Sequence, residues 1–95
     1  MQPPVEFEWD DAKAASNEAR HAISFPIAAL VFMDPNCLLI DASHPGDGEP
    51  RRKAVGVIQA RLVTVVFTPR GNVCRVISAR RSNSKEERSY GNRSL

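Results

Sequence analysis

Few residues in this sequence are of the kinds that fix a metal, a disulfide framework or a membrane segment. It has two cysteines, Cys37 and Cys74, and neither belongs to a paired Cys or Cys/His motif. We therefore expect two free buried thiols, no metal and no cofactor. The longest mostly apolar runs, 27–33 and 62–67, fall far short of the roughly 18 residues that suggest a membrane span. Since residues 1–10 are acidic and lack the features of a signal peptide, we expect a cytoplasmic protein without membrane contact.

The length of the chain limits the number of domains. Its 95 residues, 42% of them hydrophobic, suffice for one core but not for two domains of ordinary size. We predict a single domain over residues 1–95, with frayed ends at 1–4 and 91–95. Because so small a core leaves a modest stability margin, a second copy or a partner protein would be a natural supplement.

Acidic and basic residues are segregated along the chain. Residues 1–50 hold two bases, Lys13 and Arg20, and nine acids, a net charge of −7. Residues 51–95 hold eleven bases and two acids, Glu86 and Glu87, a net charge of +9. A concentration of positive charge of this kind is typical of a surface that binds a polyanion.

The first third of the chain predicts one strand and two helices. Val5, Phe7 and Trp9 alternate with acidic residues, the period of a strand with one apolar face. Asp10 can cap a helix over 11–21, whose small-residue packing face would be formed by Ala12, Ala15 and Ala19. Ser24 can cap a second helix, which ends at the turn residues 34–36.

The remainder predicts four strands and a last helix. A strand over 38–41 and an exposed loop over 42–50 precede three β-rich stretches, 51–58, 61–68 and 73–79, the last two joined by a turn over 69–72. Ser84 and Glu87 fit a capping box for a helix that ends at Tyr90, with Gly91 as its stop signal. The order βααββββα predicts an α+β fold, an antiparallel sheet covered by helices.

The order of residues resembles that of the BrnT family of ribonuclease toxins over nearly the whole chain. The resemblance begins with Phe7-Glu8-Trp9-Asp10 and continues through Lys13, Asn17, Arg20-His21, Ser24-Phe25, Val31-Phe32, Asp34, Asp41, His44, Glu49, Arg51, Gly56, Ile77-Ser78-Ala79-Arg80-Arg81, Glu86 and Tyr90. It implies a fold similar to the RelE and ParE toxins, a homodimer, ribonuclease activity and neutralisation by a BrnA-like antitoxin with a DNA-binding region. With such a partner, we expect a heterotetramer that reaches DNA only through the antitoxin.

Two residues depart from the family's pattern. Ala22 stands where the family usually has glycine, at a backbone position expected to have positive φ. Pro50 lies between Glu49 and Arg51 and stiffens a loop that we expect to shape the site.

Cleavage of RNA without a metal needs a base for the 2′-hydroxyl proton, cations for the charged phosphorane and an acid for the leaving oxygen. Arg80, where the last strand ends, is the first candidate to bind phosphate, and a salt bridge to Glu86 or to an acidic group of the N-terminal half is the alternative. Arg51 and Glu49 either hold phosphate and accept a proton or simply pair with each other. Tyr90 either donates a proton, stacks on a base or packs in the fold.

Three polar residues share one face of the first helix. Lys13, Asn17 and His21 stand at i, i+4 and i+8, so they either are solvated together or line a cleft. His21 is a candidate acid or base, and a helix C-cap is the alternative. We expect Lys13 and Asn17 to contact RNA, together with the following basic residues: Arg52, Lys53, Arg81 and Lys85.

The leading hypothesis is therefore a metal-independent endoribonuclease toxin that acts on cellular RNA and inhibits growth. The alternative is a non-catalytic module that binds nucleic acid or docks an antitoxin in transcriptional autoregulation. The acidic residues around His44 do not favour a metal site, because the glycines and prolines beside them give a loop poorly suited to holding ligands.

Overall fold

The computed structural model describes residues 6–46 and 48–93, apart from the side chain of Arg93. The elements follow the chain in this order: β1 (Glu6–Glu8), α1 (Asp11–His21), α2 (Phe25–Ala28), a 3₁₀ segment (Ala29–Met33), β2 (Leu38–Asp41), β3 (Arg52–Ile58), β4 (Arg61–Arg70), β5 (Val73–Arg81) and α3 (Ser84–Arg93). Fold class α+β, predicted from the sequence, is confirmed.

The sheet is mixed, so the predicted purely antiparallel sheet is wrong. Its strand order is β1-β5-β4-β3-β2, and β2 to β5 form an antiparallel meander. β1 is parallel to β5, with Phe7 opposite Cys74. Alternation within a strand shows which side chains share a face, but it does not show which edge the strand joins or in which direction. The parallel pairing of β1 with β5 therefore depends on tertiary packing and cannot be predicted from the local sequence pattern.

Both predicted caps of the N-terminal helices are present. The Asp10 carboxylate accepts a hydrogen bond from the backbone N–H of Lys13 (2.9 Å), and the Ser24 hydroxyl accepts one from Ile27 (3.4 Å). The predicted alanine packing face is wrong, because Ala12, Ala15 and Ala19 are all exposed. α1 instead turns the opposite face to the sheet, where its buried residue is Asn17.

Aromatic side chains fill the space between the helices and the sheet. Phe25 is fully buried and meets Trp9 edge-on at 5.9 Å between ring centroids. Phe32 is almost as deeply buried and lies 5.7 Å from Phe7 and 5.3 Å from Phe67. These contacts place the aromatic residues in the core.

The close approach of the 3₁₀ segment to β3 requires a glycine. A Cβ on Gly56 would lie 2.7 Å from the backbone oxygen of Val31, closer than packed atoms tolerate.

Two-residue turns join the strands of the meander. The β3–β4 turn consists of Gln59 and Ala60, both with positive φ, as a type I′ hairpin requires. The next turn is also two residues long, since Arg70 pairs with Val73. β4 therefore extends beyond the predicted strand end at 68.

The last helix begins and ends differently from the prediction. The capping box is formed by Asn83 and Glu86, whose side chains each accept the other's backbone N–H at 2.9 Å. Glu87, the predicted partner of Ser84, is exposed. The helix also continues through Gly91 to Arg93, beyond the predicted stop at Tyr90. The predicted fraying of 1–4 and of 94–95 lies outside the described residues.

Both cysteines are buried thiols outside any disulfide, as the sequence predicts. Burial raises the pKa of the Cys74 thiol to about 12, so this thiol stays protonated at neutral pH. In the described part of the chain, no helix is both long and apolar enough to cross a membrane.

A candidate nucleic-acid interface

The face of the sheet turned away from the core carries a cleft lined by cations. Strand alternation directs the side chains of β4 and β5 alternately to the two faces, and Thr68 on β4 and Arg75 on β5 are direct cross-strand neighbours. The cleft measures about 480 Å³. It is lined by Lys13, Gly48, Glu49, Arg51, Thr68, Arg70, Arg75 and Ile77, and we call it the basic cleft.

Two carboxylates hold two of the arginines in place. Arg70 donates to Glu49 through hydrogen bonds of 2.9 and 3.2 Å and lies 3.7 Å from Glu8. Arg75 donates to the other oxygen of Glu8 at 3.2 Å. Among the described residues, neither Lys13 nor Arg51 has a carboxylate within ion-pair distance. Their charges therefore remain available to an anionic ligand.

The backbone of Arg51 is fixed by Ser43 across the base of the loop. The Ser43 hydroxyl accepts a hydrogen bond from the Arg51 N–H (2.9 Å) and donates one to the Arg51 carbonyl (3.2 Å). Ala42 donates to the same carbonyl from its backbone (2.9 Å). In turn Asp41 accepts the Ser43 N–H (3.0 Å), a hydrogen bond that lowers the pKa of this carboxyl. These bonds hold the Arg51 side chain at the cleft.

Helix α1 supplies the opposite wall and extends it. Lys13, Ser16, Asn17 and Arg20 follow one another at helical spacing and, with His21, Ile77 and Ser78, line a smaller hollow of about 160 Å³. The hollow shares Lys13 and Ile77 with the basic cleft, so the two are continuous. From Lys13 to His21 the helix rises about 12 Å, so His21 lies at the far end of this wall from the basic cleft.

Asn17, predicted to contact RNA, has its side-chain amide engaged within the fold. Its oxygen accepts the backbone N–H of Ala79 at 3.0 Å, and its nitrogen donates to the carbonyl of Ile23 at 3.1 Å. Asn17 is only 6% exposed. It therefore ties α1 both to the edge of β5 and to the turn before α2, and so sets one wall of the cleft.

Arg80 lies on the same face of the sheet, beside the part that α3 covers. Its guanidinium donates to both oxygens of Glu86 at 2.8 Å. Glu86 also accepts from Lys53 (3.1 Å), from the hydroxyl of Thr64 (3.0 Å) and from the Asn83 N–H (2.9 Å). We call these five residues the Glu86 cluster.

Glu86 and Arg80 are both charged at neutral pH. Burial alone would raise the pKa of Glu86, whose side chain is 4% exposed, but the surrounding donors outweigh it and lower the pKa from 4.5 to about 2. The hydrogen bonds to Glu86 in turn raise the pKa of Arg80. Both groups therefore stay charged. The two guanidinium nitrogens of Arg80 that could bind a phosphate are already bonded to a carboxylate of the protein.

The remaining predicted site residues lie elsewhere. Tyr90 donates a 2.6 Å hydrogen bond to Asp34, which also accepts the backbone N–H of Val57 (2.9 Å). Arg52 points away from the basic cleft into a shallow hollow beside Asp41. Arg81 lines a separate hollow near the C-terminus of α1, and Lys85 is exposed on α3.

Within 6–46 and 48–93, no three histidine, cysteine or acidic side chains are grouped as a metal ion would require. Of the residues that the structure describes, one carboxylate, Glu49, and four cations line the basic cleft. This set can neutralise a phosphate and place a proton acceptor beside it.

A family model described as the ribonuclease toxin BrnT of a type II toxin-antitoxin system matches residues 9–86. The chain belongs to the BrnT family. A search of the curated proteins finds no match. The matched range contains α1, strands β2 to β5 and Glu86, and so every residue that lines the basic cleft of this BrnT-family domain.

Several residues of the site were not singled out from the sequence. Arg70 and Arg75 carry much of the cleft's charge, yet Arg70 was assigned to a turn and Arg75 was simply one base of a strand. Arg20 was noted for the resemblance alone. Register would have identified the first two, because a two-residue turn pairs Arg70 with Val73 and Thr68 with Arg75, which places both arginines on the same face of the hairpin.

Proposed function

We propose that this BrnT-family chain is a metal-independent endoribonuclease that binds RNA along its basic face and cleaves it at the basic cleft. The observation that carries the proposal is the position of Glu49, a carboxylate that lines the cleft among Lys13, Arg51, Arg70 and Arg75. Cations of this kind stabilise the charge that develops on a phosphorane, the task that a metal ion performs in other nucleases.

Within the cleft the residues differ in role. Lys13 and Arg51, which have no carboxylate partner in the described part of the chain, bind the scissile phosphate. Glu49 takes the proton of the 2′-hydroxyl once phosphate displaces it from Arg70. The freed Arg70 then faces the phosphorane that forms when the 2′-oxygen attacks phosphorus. The bond from phosphorus to the 5′-oxygen breaks, the leaving 5′-oxygen takes a proton from water, and a 2′,3′-cyclic phosphate remains. His21, about 12 Å along α1, contacts the flanking nucleotide.

The proposal gives Arg80 a supporting role. Because two nitrogens of its guanidinium bind Glu86, Arg80 contributes positive potential and holds α3 in place. Lys53 acts in the same way through the other side of Glu86. Tyr90, bonded to Asp34, fixes α3 at the opposite edge.

The biological setting follows from the family. A type II toxin-antitoxin pair includes an antitoxin, and we propose that it is BrnA-like, forms a heterotetramer with a toxin homodimer and carries the DNA contacts. Cleavage of cellular RNA in the cytoplasm then inhibits translation and growth until the antitoxin neutralises it.

The test compares two neighbouring arginines. End-labelled RNA is incubated in excess EDTA with the purified chain and with the variants Arg51→Ala, Arg52→Ala and Glu49→Gln. We expect products with cyclic-phosphate ends, lost in Arg51→Ala, retained in Arg52→Ala and reduced by about 10² or more in Glu49→Gln. Since the two arginines are adjacent but point into different hollows, the pair controls for charge.

RNA binding without cleavage by folded wild-type protein would support the non-catalytic alternative. An equal loss of cleavage in Arg52→Ala would indicate that the active site lies outside the basic cleft.

A further inference from the structure

A second hollow, at the far end of α1, has a composition unlike that of the basic cleft. It measures about 490 Å³ and lies between the C-terminus of α1, the start of α2 and the β3–β4 turn. Its floor is apolar and its rim is charged. The floor consists of Ile23, Ile27, Ile58 and Val63, and we call this the apolar hollow.

The apolar floor continues onto the surface along the 3₁₀ segment. Ile27, Leu30 and Met33 are 48%, 45% and 69% exposed. They recur every third residue from α2 to the end of the 3₁₀ segment, and residues at this spacing lie on one side of a helix. The result is a stripe about 12 Å long that leads out of the hollow.

The rim of the hollow is mainly basic. Arg61 and Arg81 line it on the side of the sheet, and Glu18 and His21 line it on the side of α1. Both arginines are exposed, and neither makes an ion pair with a described carboxylate. A ligand that fits must therefore offer apolar side chains to the floor and the stripe, and carboxylates to the two arginines.

We infer that the apolar hollow and its stripe form the docking site for an amphipathic, acidic segment of the antitoxin. The charge of the rim argues against a second copy of this chain. In a two-fold symmetric dimer the same patch faces itself, so four arginines, Arg61 and Arg81 of each copy, would meet with two carboxylates, the Glu18 of each copy, to offset them. RNA would offer phosphate to the rim but would leave the isoleucines without an apolar partner.

The position of the hollow also accounts for neutralisation. His21 lines both the apolar hollow and the small hollow that continues the basic cleft. A segment seated on the stripe and the rim reaches that end of the RNA path and blocks it. This step rests on the proposed function, whereas the docking itself requires only an antitoxin partner.

The test measures docking without RNA. Binding of the purified cognate antitoxin is titrated by calorimetry against wild type, Arg81→Glu, Met33→Asp and the control Arg88→Glu, which reverses an exposed charge on α3. We expect Kd to rise at least about tenfold in the first two variants and to change less than about threefold in Arg88→Glu. Circular dichroism checks that each variant is folded, and its residual RNA cleavage is measured with antitoxin present. Escape from inhibition by Arg81→Glu and Met33→Asp supports the inference.

Three outcomes would overturn it. Unchanged antitoxin affinity in both variants would place docking elsewhere. If Met33→Asp converts a dimer into a monomer in sedimentation while antitoxin affinity stays the same, the stripe joins two copies of this chain. If the variants lose RNA affinity alone, the hollow belongs to the RNA path. Absence of RNA cleavage in wild type would count against the proposed function and leave the calorimetric result valid.

Discussion

The guanidinium of Arg80 and the carboxylate of Glu86 are joined by two hydrogen bonds, each 2.8 Å long. Glu86 lies on α3 and Arg80 on β5, so this pair fastens the last helix to the sheet. Lys53 and Thr64 bring β3 and β4 into the same cluster. A single buried carboxylate therefore links three strands and one helix. Its removal would leave two cations without their partner.

Replacement of Glu86 by glutamine is expected to lower the free energy of unfolding by about 3 kcal/mol, because Arg80 and Lys53 then lose their buried counter-charge. Urea denaturation measures the change. Glu87→Gln, an exposed neighbour on the same helix, is the matched control and should stay within about 0.5 kcal/mol of wild type. A similar loss in both variants would contradict the role of the cluster.

The contribution of Glu86 is also expected to depend on pH. Its pKa is lower in the folded chain than the ordinary 4.5, so the ionised carboxylate stabilises the fold fully above about pH 4.5. This stabilisation is lost as the pH falls towards about 2. Urea titrations between pH 2 and pH 7 should therefore show the difference between wild type and Glu86→Gln shrinking on acidification. A constant difference would mean that the carboxyl is not ionised in the fold.

Local chemistry was enough to predict much of the fold. Asp10 and Ser24 cap helices because their side chains reach a backbone N–H three residues ahead, a relationship visible in the sequence. The face of α1 was not predictable in this way. Three alanines suggested a packing surface, but the sheet receives Asn17, because the free edge of β5 has a backbone N–H that needs an acceptor.

The candidate site was predictable in kind but not in arrangement. The charge of the second half indicated a polyanion surface, and Arg51, Glu49 and Lys13 do line one cleft. Arg80 is the first candidate for phosphate binding on the sequence, yet its guanidinium binds Glu86. Which of many arginines finds an internal carboxylate depends on strand register and on the placement of α3, and neither is encoded in local spacing.

Replacement of Asn17 by alanine is expected to cost about 2–4 kcal/mol of stability, since the Ala79 N–H and the Ile23 carbonyl would both lose their partner. Thermal or urea unfolding measures it. Ser16→Ala changes an exposed residue of the same helix and should have little effect. A cost below about 1 kcal/mol for Asn17→Ala would show that water replaces the amide without strain.

Replacement of Ala22 by glycine is expected to stabilise the protein by about 1 kcal/mol. Ala22 ends α1 with φ 58° and ψ 28°, in the left-handed region that disfavours a side chain. Ala19→Gly, inside the same helix, should change stability by about the same amount in the opposite direction. Paired denaturation curves give both values, and destabilisation by Ala22→Gly would mean that its methyl group packs favourably enough to offset the strain.

RNA binding by the basic cleft is expected to depend strongly on salt and weakly on base sequence. Among the described residues, no phenylalanine, tyrosine or tryptophan lines the cleft or its extension, so stacking contributes little and phosphate contacts dominate. Four phosphate contacts, from the four cations, predict that Kd rises about 50-fold between 50 and 200 mM salt. Fluorescence anisotropy with 2′-O-methyl oligonucleotides, which lack the nucleophile, measures binding without cleavage. Arg51→Ala should flatten the salt slope by about one phosphate contact, whereas Arg52→Ala should leave it unchanged. A strong preference among homopolymers with a flat salt response would instead indicate that the bases are recognised outside this cleft.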